Sequence, residues 1–145
     1  MPAIFDRTKT LTQLERDDWG EPPKGSTGLV QECHRLRKVP LNQFTPENLR
    51  LMIGQQISLF YLVPLAIEVL EADPFTEGDL YPGDLLVLVT SVPESYWRRH
   101  TDVCERMQQI VRMAKWQLKA RNPDESESVH KRISELPDVL RGEDR

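Results

Sequence analysis

Apolar residues recur along most of the chain at the three- and four-residue spacing of amphipathic helices. Thr10 lies three residues before Gln13, a capping-box spacing that predicts a short first helix around Leu14. A second helix is predicted over residues 27–38, from four apolar residues at helical spacing: Leu29, Val30, Cys33 and Leu36.

The middle of the chain predicts two more helices. Thr45-Pro46-Glu47 combines an N-cap residue, a proline at the first helical position and an acid in the first turn, so it predicts a helix start. Residues 59–70 are apolar on nearly all sides, which predicts the central and most buried helix. Pro64 fits this helix if it begins near Tyr61, because first-turn amides have no partner within a helix.

The segment over residues 85–90 is ambiguous. It follows a turn, Tyr81-Pro82-Gly83-Asp84, in which Asp84 is a candidate N-cap. Its sequence, LLVLVT, has the β-branched content of a strand. Its position between caps and helices favours a buried helix.

The last third of the chain predicts a turn of helix at Tyr96 and Trp97, then a long helix that is capped by Thr101 and ended by Asn122-Pro123. We therefore expect an all-α, or mainly α, single domain over residues 1–145, a compact bundle of about six to seven short helices. Residues 122–145 are expected to form a peripheral helix and a flexible tail.

Composition places the chain among ordinary globular domains, at 145 residues with 39% hydrophobic and 29% charged residues. No apolar run approaches the roughly 20 residues of a membrane span, and residues 1–9 do not resemble a secretory signal. Both cysteines, Cys33 and Cys104, lie within helical patterns, which suits reduced thiols. We therefore expect a cytoplasmic protein that does not bind membranes.

The search for catalytic chemistry gives only weak candidates. No phosphate-binding loop, nucleophile elbow or zinc-protease motif occurs. A Cys/His metal site from His100 and Cys104, or a small hydrolase built on Cys33 and His34, is conceivable, but zinc sites normally show paired close spacings such as CxxC. Acid pairs such as Asp17-Asp18 are common in any acidic protein. We expect no catalysis, no metal and no cofactor.

Charge is distributed unevenly although the net charge is only -4. Residues 51–97 contain no Lys or Arg, whereas random placement of the chain's 19 basic residues would leave about six there. The stretch carries seven acids: Glu68, Glu71, Asp73, Glu77, Asp79, Asp84 and Glu94. Negative surfaces of this kind steer and select basic partners.

The segment from Glu71 to Asp84 also places Phe75, Leu80 and Tyr81 among its acids, and apolar anchors within a charged rim are typical of protein interfaces. We therefore predict a partner-binding surface here. Its residues are Glu71, Asp73, Phe75, Glu77, Asp79, Tyr81 and Asp84.

Several segments together resemble a family of contact-dependent growth inhibition immunity proteins. The resemblance covers about residues 9–100 and weakens beyond Trp97. It rests on the following segments: Thr10 to Leu14, Asp18 to Pro22, Cys33 to Leu41, Phe44 to Gln56, Tyr61 to Ala66 and Gly78 to Leu86.

The resemblance implies an α-helical, cytoplasmic protein that binds a cognate toxin domain, the C-terminal part of a large exoprotein, in a noncatalytic inhibitory complex. Many such toxins are nucleases, whose basic grooves grip phosphates, so an acidic surface is a suitable plug. The shared motifs, including Trp19, Tyr61 and Gly83, are expected to hold the fold rather than to bind.

Two other binding functions remain open on the sequence. A general adaptor or chaperone-like module would use the same acidic surface for a basic protein segment. Direct nucleic-acid binding would use the seven bases within residues 98–121, but a solvated basic helix is the simpler interpretation, and we expect no nucleic-acid partner.

Overall fold

The computed structural model describes residues 5–142, and this part of the chain is all-α. It forms nine α-helices within those residues, more than the six to seven expected. They are α1 (Leu11–Glu15), α2 (Gly28–Leu36), α3 (Pro46–Gly54), α4 (Leu59–Ala72), α5 (Asp84–Val89), α6 (Glu94–Arg99), α7 (Thr101–Leu118), α8 (Glu127–Ser134) and α9 (Asp138–Arg141). A 3₁₀ turn, Leu41–Gln43, lies between α2 and α3.

Local capping signals set the starts of the first helices, as predicted. Thr10 accepts a hydrogen bond from the Gln13 amide, and the Gln13 side chain accepts one from the Thr10 amide, which completes the capping box of α1. Thr45 forms the same arrangement at the start of α3, with Pro46 at the first helical position.

Helix α4 is the central helix, and six of its side chains are buried: Leu62, Val63, Leu65, Ala66, Ile67 and Leu70. It packs on α3, α5 and α7. It begins at Leu59 rather than near Tyr61, so Pro64 lies beyond the first turn. The expected reason for tolerating Pro64 is therefore wrong: the helix continues past it because the tightly packed core holds α4 on three sides.

The ambiguous segment is helix α5, and the strand interpretation is wrong. Its side chains Leu85, Leu86 and Val89 are buried against α3, α4 and α8. Burial among helices leaves no strand to pair with, so packing overrides the β propensity of the sequence. Gly83, rather than Asp84, occupies the N-cap position.

Two other predictions need correction. Of the four apolar residues that predicted α2, Cys33 and Leu36 are buried, but Leu29 and Val30 are exposed. Thr101 is the first residue of α7 rather than its cap, and His100 stands at the N-cap position.

The segment after residue 121 adds to the same core. Val129, Leu136 and Leu140 are buried, and α8 packs on α5 while α9 packs on α7. Residues 143–145, the end of the expected tail, lie outside the described part. Within residues 5–142, none of the helices combines the length and the apolar character that crossing a membrane requires.

Candidate partner-binding surface

The acidic loop, residues 73–83, connects α4 to α5. A buried carboxylate holds the loop on the side that faces the core. Asp84 is only 2% exposed. Its two oxygens accept hydrogen bonds from the amides of Gly78 (2.7 Å) and Leu80 (3.0 Å). Asp84 therefore shapes the loop backbone and is not available to a partner, contrary to its predicted place on the binding surface.

A second carboxylate reaches the loop from α3. Glu47 Oε1 accepts a hydrogen bond from the Asp79 amide at 2.9 Å. Arg50 donates to both Glu47 oxygens, at 2.7 and 2.5 Å, and its Nε lies 3.8 Å from Asp84. The Arg50 hydrogen bond lowers the pKa of Glu47, with a smaller contribution from the Asp79 amide. Glu47, Arg50 and Asp84 thus form an ionic cluster that anchors the loop to α3.

Gly78 allows this close approach. A Cβ at this position would lie 2.6 Å from Glu47 Oε1 and 3.0 Å from Asp84 Oδ2. Any side chain would therefore push the loop backbone away from both carboxylates.

Phe75 belongs to the underside of the loop and is not an exposed anchor. It is 3% exposed, and the Arg121 guanidinium lies 3.9 Å from its ring centre. Its carbonyl accepts a hydrogen bond from the Gly83 amide at 3.1 Å. Gly83 has φ +90°, and a Cβ there would lie 2.5 Å from Val129 Cγ2, so the turn requires glycine.

The exposed side of the loop carries the remaining predicted residues. Asp73, Glu77 and Asp79 are exposed, and Tyr81 is half-buried. Leu80 is 61% exposed among these acids, and it was not among the predicted binding residues. The sequence shows that Leu80 lies next to Tyr81. A mixture of acidic and apolar residues does not by itself show which apolar side chain of the loop faces solvent.

Much of the acid-only stretch is neutralised by bases from outside it. Glu71 pairs with Arg106 of α7, and this hydrogen bond lowers the pKa of Glu71. Glu68 pairs with Arg7, and Glu94 pairs with Arg98. Glu71 thus contributes to packing between α4 and α7, and the negative surface is concentrated on Asp73, Glu77 and Asp79.

The candidates for nucleophilic or metal chemistry are not assembled. Burial raises the pKa of both Cys33 and Cys104, so each thiol stays protonated at neutral pH and is a poor nucleophile. His34 Nδ1 lies 3.2 Å from the Gly20 carbonyl, and its ring packs edge-on against Trp19. Within residues 5–142 there is no group of three or more His, Cys, Asp or Glu residues that could hold a metal ion.

The bases proposed for nucleic-acid binding are partly engaged within the protein. Arg98 and Arg106 pair with carboxylates, Arg121 lies over Phe75, and the Lys119 ammonium lies 5.1 Å from the Trp116 ring centre. These contacts fit the interpretation of a basic helix that balances the acids of its neighbours.

A family model described as CDI immunity proteins matches residues 13–107, about two thirds of the chain. The chain belongs to this immunity protein family. The match confirms the resemblance found in the sequence. It begins within α1 and includes α2 to α6, the acidic loop and the Glu47, Arg50 and Asp84 cluster. It ends within α7, so the rest of this immunity protein lies outside the shared part. Comparison with curated proteins and with solved structures gives no match.

Proposed function

We propose that this protein binds and neutralises a cognate contact-dependent growth inhibition toxin, through a noncatalytic complex formed in the cytoplasm. Membership of the immunity family supports the role. The buried thiols and the scattered histidines favour inhibition by binding over inhibition by chemistry.

The observation that carries the proposed interface is the fixed acidic loop. Asp84 and Glu47 hold three of its backbone amides, so Asp73, Glu77 and Asp79 are presented from a backbone that is already ordered. A preorganised surface loses little conformational entropy on binding. Leu80 supplies an exposed apolar group within the acids, as interface anchors commonly do.

A nuclease is the toxin class that this surface fits best. Nuclease grooves are lined with Lys and Arg that neutralise phosphates, and carboxylates on an ordered loop can occupy the same positions. Binding there would exclude the nucleic acid substrate from the toxin.

The experiment begins with a search beside the gene for a large exoprotein that ends in a toxin domain. This domain is then purified with the protein, and affinity and inhibition are measured. Reversing Asp73, Glu77 and Asp79 together to Lys should weaken binding by more than about tenfold and slow association, because charges at the rim steer encounter. The control reverses three exposed acids elsewhere, Glu21, Glu135 and Asp138, with the same change in net charge.

Two outcomes would count against the proposal at different levels. Failure of the wild-type protein to bind or inhibit the toxin domain would remove the immunity role for this pair. Inhibition that survives the loop reversal unchanged at low ionic strength, where electrostatic steering is strongest, would move the interface elsewhere.

A further inference from the structure

The solvent face of α7 exposes two large apolar side chains beyond the part of the chain shared with the family. Trp116 is 71% exposed and Met113 is 40% exposed. They lie three residues apart, so they are neighbours on the helix surface. The family match ends at residue 107, so both residues lie outside the matched part of the chain.

Charges along the same face are ordered from acidic to basic. Asp102 and Glu105 are exposed near the start of α7, and Lys119 is exposed just after its end. Helical spacing places Glu105, Gln109 and Trp116 along the middle of the solvent face, with Lys119 to one side. The face therefore has an acidic end and a basic end, and the exposed side chains between them are Gln109, Arg112, Met113 and Trp116.

We propose that this face binds a second copy of the chain, with the two α7 helices antiparallel about a twofold axis near residues 112 and 113. In that register Glu105 of one copy lies opposite Lys119 of the other, because each is about seven residues from the axis. Trp116 then covers Gln109 of the second copy, and the two Met113 side chains meet on the other side of the axis.

Opposite charges of the two copies face each other only when the two α7 helices are antiparallel. A twofold interface applies the same patch twice, so an acidic end and a basic end at equal distances from the axis pair twice. Arg112 lies close to the axis, but its guanidinium reaches back to α9, where Nη2 would lie 3.0 Å from a Cβ at Gly142. It therefore lies away from the Met113 side of the contact.

The contact between the two α7 helices is small. Glu105 and Lys119 are 14 residues apart, which corresponds to about 21 Å along the helix. One such helix pair covers less than the roughly 800 Å² per partner of a standard stable interface. We therefore expect a reversible dimer whose population depends on concentration.

The experiment is sedimentation equilibrium of the purified full chain over a wide range of protein concentration. The wild-type protein should shift from monomer to dimer. Trp116→Ala should raise the dimer dissociation constant by at least about tenfold, because a few large aromatic residues contribute most of the binding energy of an interface. Circular dichroism checks that this exposed substitution leaves the fold intact.

A charge swap tests the register. Glu105→Lys and Lys119→Glu should each weaken the dimer, and the double variant should restore it, because the swapped pair is again complementary. Phe60→Ala is the control for Trp116→Ala, since Phe60 is 63% exposed, belongs to α4 and should not alter the dimer.

Three results would overturn the proposal. They are a monomer at every concentration, a dimer that Trp116→Ala leaves unchanged, and a double charge variant no better than the single ones. A monomer whose toxin inhibition is lost in Trp116→Ala would assign this face to the toxin instead. The proposed immunity function is tested separately and stands or falls by toxin inhibition.

Discussion

At the residue scale, the acidic loop depends on one position without a side chain. Gly78 brings its amide 2.7 Å from Asp84 while leaving space for Glu47 beside it. The requirement for glycine here is steric, because any side chain would collide with the carboxylates of Glu47 and Asp84 that hold the loop.

Replacing Gly78 with Ala should lower the free energy of unfolding by about 1–3 kcal/mol, the usual cost of forcing extra atoms into a packed site. Urea unfolding measures this change. Gly28→Ala is the control, because a Cβ there would meet nothing within 4 Å. That variant should be unchanged or more stable by up to about 1 kcal/mol, since alanine restricts the unfolded chain. Equal effects of the two substitutions would contradict the steric role of Gly78.

At the element scale, Arg37 joins helices that are distant in sequence. It is 1% exposed and follows the end of α2. Its guanidinium donates to Glu15 at 2.6 Å, to the Ser58 hydroxyl at 3.2 Å and to the Asp17 carbonyl at 2.8 Å. It thereby ties the end of α1 and the start of α4 to α2.

Arg37→Ala should destabilise the protein by about 2–4 kcal/mol, because it removes the three hydrogen bonds of a buried side chain and leaves a cavity in its place. The neighbouring Arg35→Ala is the matched control: Arg35 is largely exposed and pairs with Glu32 along the same helix. Exposed pairs of this kind contribute less than about 0.5 kcal/mol. Thermal or urea unfolding compares them, and a small effect at Arg37 would show that α1 and α4 do not depend on this contact.

The sequence predicted the helices far better than it predicted this connection. Capping residues act on amides three positions away, so the starts of α1 and α3 were readable at Thr10 and Thr45. Arg37 contacts residues about 20 positions away on both sides, and no local pattern marks such a partner. The same limit explains why Leu29 and Val30, two of the apolar residues that predicted α2, are exposed in the folded protein.

At the scale of the whole molecule, the acids and bases are arranged so that distant segments neutralise each other. Arg106 pairs with Glu71 across α4 and α7, and Arg50 pairs with Glu47 beneath the acidic loop. Both carboxylates have pKa values below the ordinary value of 4.5, mainly because of their Arg hydrogen bonds. Stability from these pairs is therefore present above pH 4.5 and is lost as pH falls through the lowered pKa values.

We expect a variant with Glu47→Gln and Glu71→Gln to be less stable than the wild type at neutral pH, where the ionised pairs are intact. The difference in free energy of unfolding should shrink as pH falls below 4.5, because the wild-type carboxylates then also lose their charge. Urea unfolding at pH 7 and near about pH 3.5 measures it. A difference that stays constant with pH would show that the pairs do not contribute through their charge.

The candidate surface was predicted in part. The sequence identified the loop and its exposed acids Asp73, Glu77 and Asp79, because missing bases and turn residues are visible in one dimension. It included Phe75 and Asp84, which are buried, and it left out Leu80. Whether an acid faces solvent or a neighbouring amide depends on segments more than 30 residues away, as the contact of Glu47 with Asp79 shows.

The sequence by itself determined the all-α class, the main helix starts, the acid-only stretch and the resemblance to the immunity family, because periodicity, capping and motifs are local properties. Only the tertiary structure decided that residues 84–89 are helical, that four of the seven acids in the stretch are paired or buried, and that the loop is held by Glu47 and Asp84. These outcomes depend on which surfaces meet, and burial, which sets the energy of each contact, exists only once the chain has folded.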